Sequence, residues 1–286
     1  MKKCLMFIIL LSLQLTLSEA KEPKAYELPR TQVVPIQDSE LGREYELYIR
    51  LPEAYSSNSD KKHPVIYYTD AVWHIETLSA MADFLAQDSI LVGISWQTNI
   101  SEERKNELGA HASRFRDYRM RESSDPTTQA KMQFGQANKH LSFIRNDVIP
   151  YIESNYRTVP ENRSYFGYSL GGQFGAYILL RQANTFKNYI LGAPAFGDNY
   201  GPFLSELESN SASSRKGFNA NVYIAYGNTD NRLAELGEPL VTLLSEKQDA
   251  SLNFTSEELE GNHLTAFPIT AVRSMTWLSE LLKPES

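Results

Sequence analysis

The chain has 286 residues, 42% of them hydrophobic, with 28 basic against 35 acidic side chains and a formal net charge of −7. A chain this long can bury the core of one large domain, and its negative balance argues against a general nucleic-acid binder. Its single cysteine, Cys4, rules out internal disulfides and a thiolate metal cage, and only five histidines remain as imidazole ligands.

The first element is a leader. Lys2 and Lys3 precede an apolar run from Cys4 to Leu17, and Ser18-Glu19-Ala20 places small residues at a cleavage position. The run is shorter than the roughly 20 apolar residues a membrane-spanning helix needs, and the polar Lys21-Glu22-Pro23 follows at once. Residues 1–20 are therefore expected to be a signal peptide, and the mature protein periplasmic or secreted with no membrane attachment. Residues 21–286, free of repeats and linkers, are expected to form one domain.

Strands are expected at Tyr45–Leu51, Val65–Thr69, Ile90–Ser95, Ser164–Gly167, Tyr189–Gly192, Val222–Tyr226 and Leu252–Leu259. Helical periodicity runs through Ile75–Ala86, Met132–Glu153, Leu170–Gln182, Leu233–Glu246 and Ala266–Leu282. Strands such as Val65-Ile66-Tyr67-Tyr68 are apolar without alternation, which suits a mostly parallel sheet covered by helices on both faces. Between Trp96 and Lys131 neither a strand nor a long helix is legible, and the segment reads as a long, Arg-rich functional loop.

Gly167-Tyr168-Ser169-Leu170-Gly171 sets G-x-S-x-G between a strand and a helix. A serine there sits on a tight turn, with glycines leaving room and a helix N-terminus behind it to favour negative charge. The same pattern also fits a βα turn in which Ser169 only caps the helix. The order of later elements favours catalysis. Val222–Tyr226 is followed by Asp230, 61 residues after Ser169, and Leu252–Leu259 by His263, a further 33 on. Nucleophile, acid and histidine thus follow in α/β-hydrolase order, each at a strand end. Glu235 and Glu238 are alternatives to Asp230 as the acid. His63, His111 and His140 fit the base less well than His263.

These residues resemble the putative-esterase branch of the α/β-hydrolases, which includes siderophore esterases that open ferri-enterobactin. The resemblance runs from about Pro64 to Leu281. It is carried by Tyr67-Tyr68-Thr69-Asp70-Ala71, Arg114-Phe115-Arg116-Asp117-Tyr118, Pro150-Tyr151-Ile152-Glu153, the elbow with Gly172, Ala193-Pro194-Ala195 and Gly261-Asn262-His263. It implies the α/β-hydrolase fold and ester hydrolysis by Ser169, His263 and Asp230, with no cofactor. Ala71 stands where the family often has glycine, so the backbone amide that joins Leu170 in the oxyanion hole is Ala71 or Val72. Arg119-Met120 replaces the usual Thr-Pro.

Trp73, His74 and Trp96 are candidates for an aromatic wall around the acyl group, against ordinary packing as the alternative. Arg114, Arg116, Arg119 and Arg121 crowd into eight residues of the loop. Arg114 and Arg116 are the candidates to bind an anionic ester such as a ferric siderophore. The competing reading is a loop in which Asp117, Glu122 and Asp125 neutralise the arginines. Two other functions fit less well: a general carboxylesterase or short-peptide serine hydrolase, and a non-catalytic anion carrier, which predicts a broken triad.

Overall fold

The strands Val65–Thr69 and Ile90–Ile94 are buried on both faces, as their unbroken apolar runs require. A computed structural model describes residues 24–283 apart from 57–58, 198, 213–216, 230 and 248, with residues 231–236 described by backbone alone. The expected signal peptide lies outside the described residues. Among those described, no helix is long and apolar enough to cross a membrane.

Eight strands form one sheet: β1 (Thr31–Gln37), β2 (Glu44–Arg50), β3 (His63–Thr69), β4 (Ile90–Ile94), β5 (Thr158–Tyr168), β6 (Asn188–Gly192), β7 (Ala220–Gly227) and β8 (Leu252–Leu259), in the order β1-β2-β4-β3-β5-β6-β7-β8. β1 pairs antiparallel with β2, and β2 with β4, while every later pairing is parallel. This is the mostly parallel α/β-hydrolase sheet. Successive side chains of β3 enter two cores. Val65 and Tyr67 join Phe174, Leu179 and Leu191 on one face, and Ile66 and Tyr68 join Leu78, Met275 and Leu278 on the other. The second face is covered by α1 (Ala71–Leu85) and α10 (Ala266–Leu281).

The expected loop between Trp96 and Lys131 contains three helices of seven residues each: α2 (Glu102–Leu108), α3 (Ala112–Tyr118) and α4 (Pro126–Met132). Two turns of helix are too short to display an amphipathic period, yet α2 and α4 have ordinary caps. Ser101 accepts from the Arg104 amide at 3.3 Å and Asp125 from that of Thr128 at 2.8 Å. The helix expected over Met132–Glu153 starts later and is interrupted. α5 (Ala137–Phe143) passes through a π-helical turn at Ile144–Val148 into α6 (Ile149–Asn155). Pro150 lacks an amide donor and crowds the preceding turn, which accounts for the interruption. α7 (Leu170–Gln182), α8 (Tyr200–Ala212) and α9 (Asn231–Glu246) complete the helices used below. β1 went unread because Pro35 interrupts its pattern, which an edge strand tolerates.

Candidate active site

The turn from β5 to α7 forces Ser169 into φ 58°, ψ −119°, a conformation that a non-glycine residue adopts only under strain. Its surroundings permit no bulk. A methyl group on Gly167 would collide with the Gly171 carbonyl, and one on Gly172 would lie 2.7 Å from the Gly192 oxygen. The backbone of Ser169 is pinned on both sides. Its N–H donates to Gly192 at 2.9 Å, and its carbonyl accepts from Gln173 at 3.0 Å and Ala195 at 3.1 Å.

His263, in the loop after β8, brings Nε2 to 3.0 Å from Ser169 Oγ. The sequence order anticipated this meeting, but not the devices that hold the loop. Asn262 Oδ1 accepts from the amides of Leu264 (2.9 Å) and Thr265 (3.1 Å), closing a turn around the histidine. Tyr168, next to the serine, donates its hydroxyl to the His263 carbonyl at 2.7 Å. Burial pushes that phenol up to about 12, so it stays a donor through the neutral range.

The side chains of Asp230 and Glu235 lie outside the described residues. The two residues before Asp230 are held by backbone bonds: Asn228 N–H donates to the Leu259 carbonyl at 2.9 Å and Thr229 N–H to that of Gly261 at 3.1 Å. The segment leading into Asp230 therefore runs beside the one leading into His263. Glu238 is exposed on α9, two turns further along.

The other wall begins where β3 ends. Asp70 adopts the left-handed conformation (φ 56°) at the N-cap of α1, and its carbonyl accepts from Trp73 and His74. Ala71 and Val72 are the first two residues of the helix, so their amides have no intrahelical acceptor. Leu170 opens α7 in the same way. The fully buried Asp70 carboxylate is a hub. Oδ1 accepts from Trp96 Nε1 at 2.7 Å and Arg114 Nε at 2.9 Å, and Oδ2 from Arg114 Nη2 at 2.9 Å. The same Oδ2 lies close to Gly171, which ties the hub to the elbow.

This arrangement changes the reading of the arginines. Arg114 and Arg116 are buried and already paired, Arg114 with Asp70 and Arg116 with Asp117 (2.7 Å) and Gln97 (2.7 Å). Burial alone would lower the pKa of Arg114, but the Asp70 carboxylate outweighs it and holds the guanidinium above its ordinary value. Asp117 does the same for Arg116. Neither is a free cation, because a charge removed from water needs a permanent partner. Asp117 was foreseen as a neutraliser of the arginines; Asp70 was quoted only as part of a motif, and nothing local marks a partner 44 residues away.

Trp73 and Trp96 meet edge to face, centroids 4.7 Å apart, with His111 5.3 Å from Trp73. Trp73 and Val72 are each 50% exposed and Leu264, beside His263, is 80% exposed, which gives the mouth an apolar rim. His74 departs from the expected wall. It is buried, stacked on Phe267 at 4.7 Å, with Nδ1 bonded to the Thr69 carbonyl at 3.1 Å. On a helix one position of advance is enough to turn a side chain from the rim into the core. Among the described residues no three His, Cys, Asp or Glu side chains are gathered as a metal site requires.

The "Putative esterase" family model matches residues 39–281. The chain belongs to that family. This esterase is therefore a carboxylic ester hydrolase of the serine type. It is 25% identical over 279 residues to the ferri-bacillibactin esterase BesA of Bacillus subtilis (strain 168), covering 88% of this chain and 90% of that protein. The BES protein from Bacillus cereus superposes with a TM-score of 0.74 at 22% identity, covering 90% of this chain and 99% of that one. The siderophore hydrolase EstB from Aspergillus nidulans gives 0.71 at 18% identity, covering 93% of this chain and 100% of that one.

Proposed function

We propose that this esterase hydrolyses its ester through an acyl-enzyme built on Ser169, with His263 as general base and Asp230 as the acid that orients it. The observation that carries the reading is the 3.0 Å approach of His263 Nε2 to Ser169 Oγ on a strained elbow. In this scheme neutral His263 takes the hydroxyl proton as Oγ attacks the carbonyl carbon. The tetrahedral oxyanion accepts from the backbone N–H of Leu170 and from that of Ala71 or Val72, the unpaired first amides of two helices. The C–O bond then breaks, and the imidazolium protonates the departing alcohol. Water, deprotonated by the same imidazole, releases the acid and restores Ser169.

Its substrate in this reading is a bulky ester of the siderophore class. The relative BesA is named for ferri-bacillibactin, and the exposed Val72, Trp73 and Leu264 offer apolar contact to a large acyl group. Export follows from the leader expected over residues 1–20, so the mature protein begins at Lys21. Purified protein should be assayed on p-nitrophenyl esters, peptide anilides and a ferric trilactone siderophore. The reading expects ester hydrolysis to exceed anilide hydrolysis, with the siderophore preferred to simple aryl esters. Faster cleavage of anilides would replace it with a peptidase, and indifference between siderophore and aryl ester with a general carboxylesterase.

A further inference from the structure

Four arginines crowd the end of α3, and three of them are occupied. Arg114 holds Asp70 and Arg116 holds Asp117. Arg121 donates to the Asn199 carbonyl at 3.4 Å and lies over the rings of Tyr200 and Phe203, at 5.3 and 5.5 Å. Arg119 has no carboxylate among the described residues. Its Nε is buried without a hydrogen-bond partner, and its guanidinium lies over the Phe134 ring, 4.5 Å from the centroid. A half-buried guanidinium without a counter-charge is an unbalanced element in an otherwise acidic protein.

Its position gives that imbalance a use. Arg119 follows Tyr118, whose ring stacks at 5.5 Å on Phe174 in the first turns of α7. Tyr200 of α8 lies near Arg119 and beside Gln173, and burial keeps its phenol neutral. Gln173 donates to the Ala195 carbonyl at 2.6 Å, and Ala195 N–H donates to the carbonyl of Ser169. Arg119 is thus linked to the backbone of the nucleophile through Tyr200, Gln173 and Ala195, on the α8 side. Burial, reinforced by the like charge of Arg114, pulls its pKa below the ordinary arginine value, so an arriving anion would relieve both costs.

We propose that Arg119 binds an anionic oxygen group, a carboxylate or ionised phenol, carried by the ester substrate. This rests on the serine-esterase reading for its location and adds the chemical group that reading leaves open. Arg119 is a specificity-determining residue here, with its charge-assisted contact formed only when an anionic substrate is bound.

The test uses the full-length protein and two matched ester pairs. p-Nitrophenyl butyrate against p-nitrophenyl hemisuccinate places the charge on the acyl part, and phenyl acetate against 4-acetoxybenzoate places it on the alcohol. Wild type should prefer the anionic member of at least one pair in kcat/KM, and rising salt should erode that preference. Arg119→Gln should lower the anionic-to-neutral ratio at least about tenfold, the range of one hydrogen bond to a charged group, while Arg119→Lys keeps most of it. Free succinate at millimolar concentration should inhibit only weakly; tight inhibition would mark a site for a free anion instead and overturn the substrate assignment. The same pairs are titrated by calorimetry on Ser169→Ala with and without Arg119→Gln, so a failure of the serine mechanism remains distinguishable from a failure of anion binding. An unchanged ratio, or equal losses on both members of each pair, would overturn the proposal.

Discussion

Between Gly167 and Gly172 most constraints are short-range, with the Thr69 hydroxyl against Gly171 as the exception. The strained Ser169 needs its glycine neighbours, and the carbonyls that crowd them belong to the same turn or the adjacent strand. The arch of residues 96–137 is built the other way. Arg114 reaches back 44 residues to Asp70, Tyr45 donates its hydroxyl to Asp117 across 72, and Trp96 caps the same Asp70 carboxylate. Both regions border the nucleophile. The first can be read from a short string of letters; the second takes its meaning from charges that meet only after folding.

The largest expected effect breaks the local region. Ser169→Ala and His263→Ala should each lower kcat by about 10⁴-fold or more, with an unchanged thermal midpoint because both side chains sit at a partly exposed strand-end site. Steady-state ester hydrolysis with a parallel melting curve checks both at once. Asp230→Asn should follow, with a loss of up to about 10⁴-fold in kcat, since the amide favours the wrong imidazole tautomer. Glu238→Gln should cost little, given its exposed place on α9. A silent Asp230→Asn beside a crippled Glu235→Gln would move the acid by five residues.

The arch should fail differently. Arg114→Ala leaves the Asp70 carboxylate buried without its bidentate partner, and the expected cost is about 3–5 kcal/mol of stability, read by urea denaturation. Activity should fall with it, because Asp70 sets the start of α1. An equal loss from Arg119→Gln would erase the distinction between a paired and an unpaired arginine.

A smaller effect lies deeper in the same region. His140 is fully buried among Tyr45, Tyr118, Phe143 and Phe174, and burial drives its pKa down to about 4, with the charges of Asp117, Arg116, Arg43 and Asp38 acting against one another. In the unfolded chain it takes up a proton near its ordinary 6.5. The unfolded state therefore binds more protons between about 4 and 6.5, and stability should fall as pH drops through that window, on the order of 1 kcal/mol per pH unit from this residue. His140→Phe should flatten the slope of urea midpoint against pH, whereas a slope unchanged by the substitution would assign the loss to carboxylates.

What the sequence displayed follows this division. The strands β3, β4 and β6 were legible because continuous apolar runs mean burial on both faces, and Ser169 and His263 because motif and element order are linear properties. α2, α3 and α4 were not, since helices of seven residues carry too few turns to show a period. α8 was missed through its polar run Glu208–Ser211, and only Tyr200, Leu204, Glu208 and Ser211 of it are buried. Arg114 read as a free cation because its partner Asp70 stands far away in sequence, whereas the partner of Arg116 is the adjacent Asp117 that the sequence already offered as a neutraliser. His74 read as rim because a helix start predicts which residues follow a strand, and not which of them turn inward.

The central claim is that one serine, activated by one histidine, carries the hydrolysis. Treating the protein with a fluorophosphonate and measuring intact mass, then mapping the adduct by peptide sequencing, tests it most directly. The account predicts a single adduct on Ser169, loss of ester hydrolysis in proportion to labelling, and no adduct on Ser169→Ala. A single stoichiometric adduct on another residue, or full hydrolysis by the labelled protein, would contradict it.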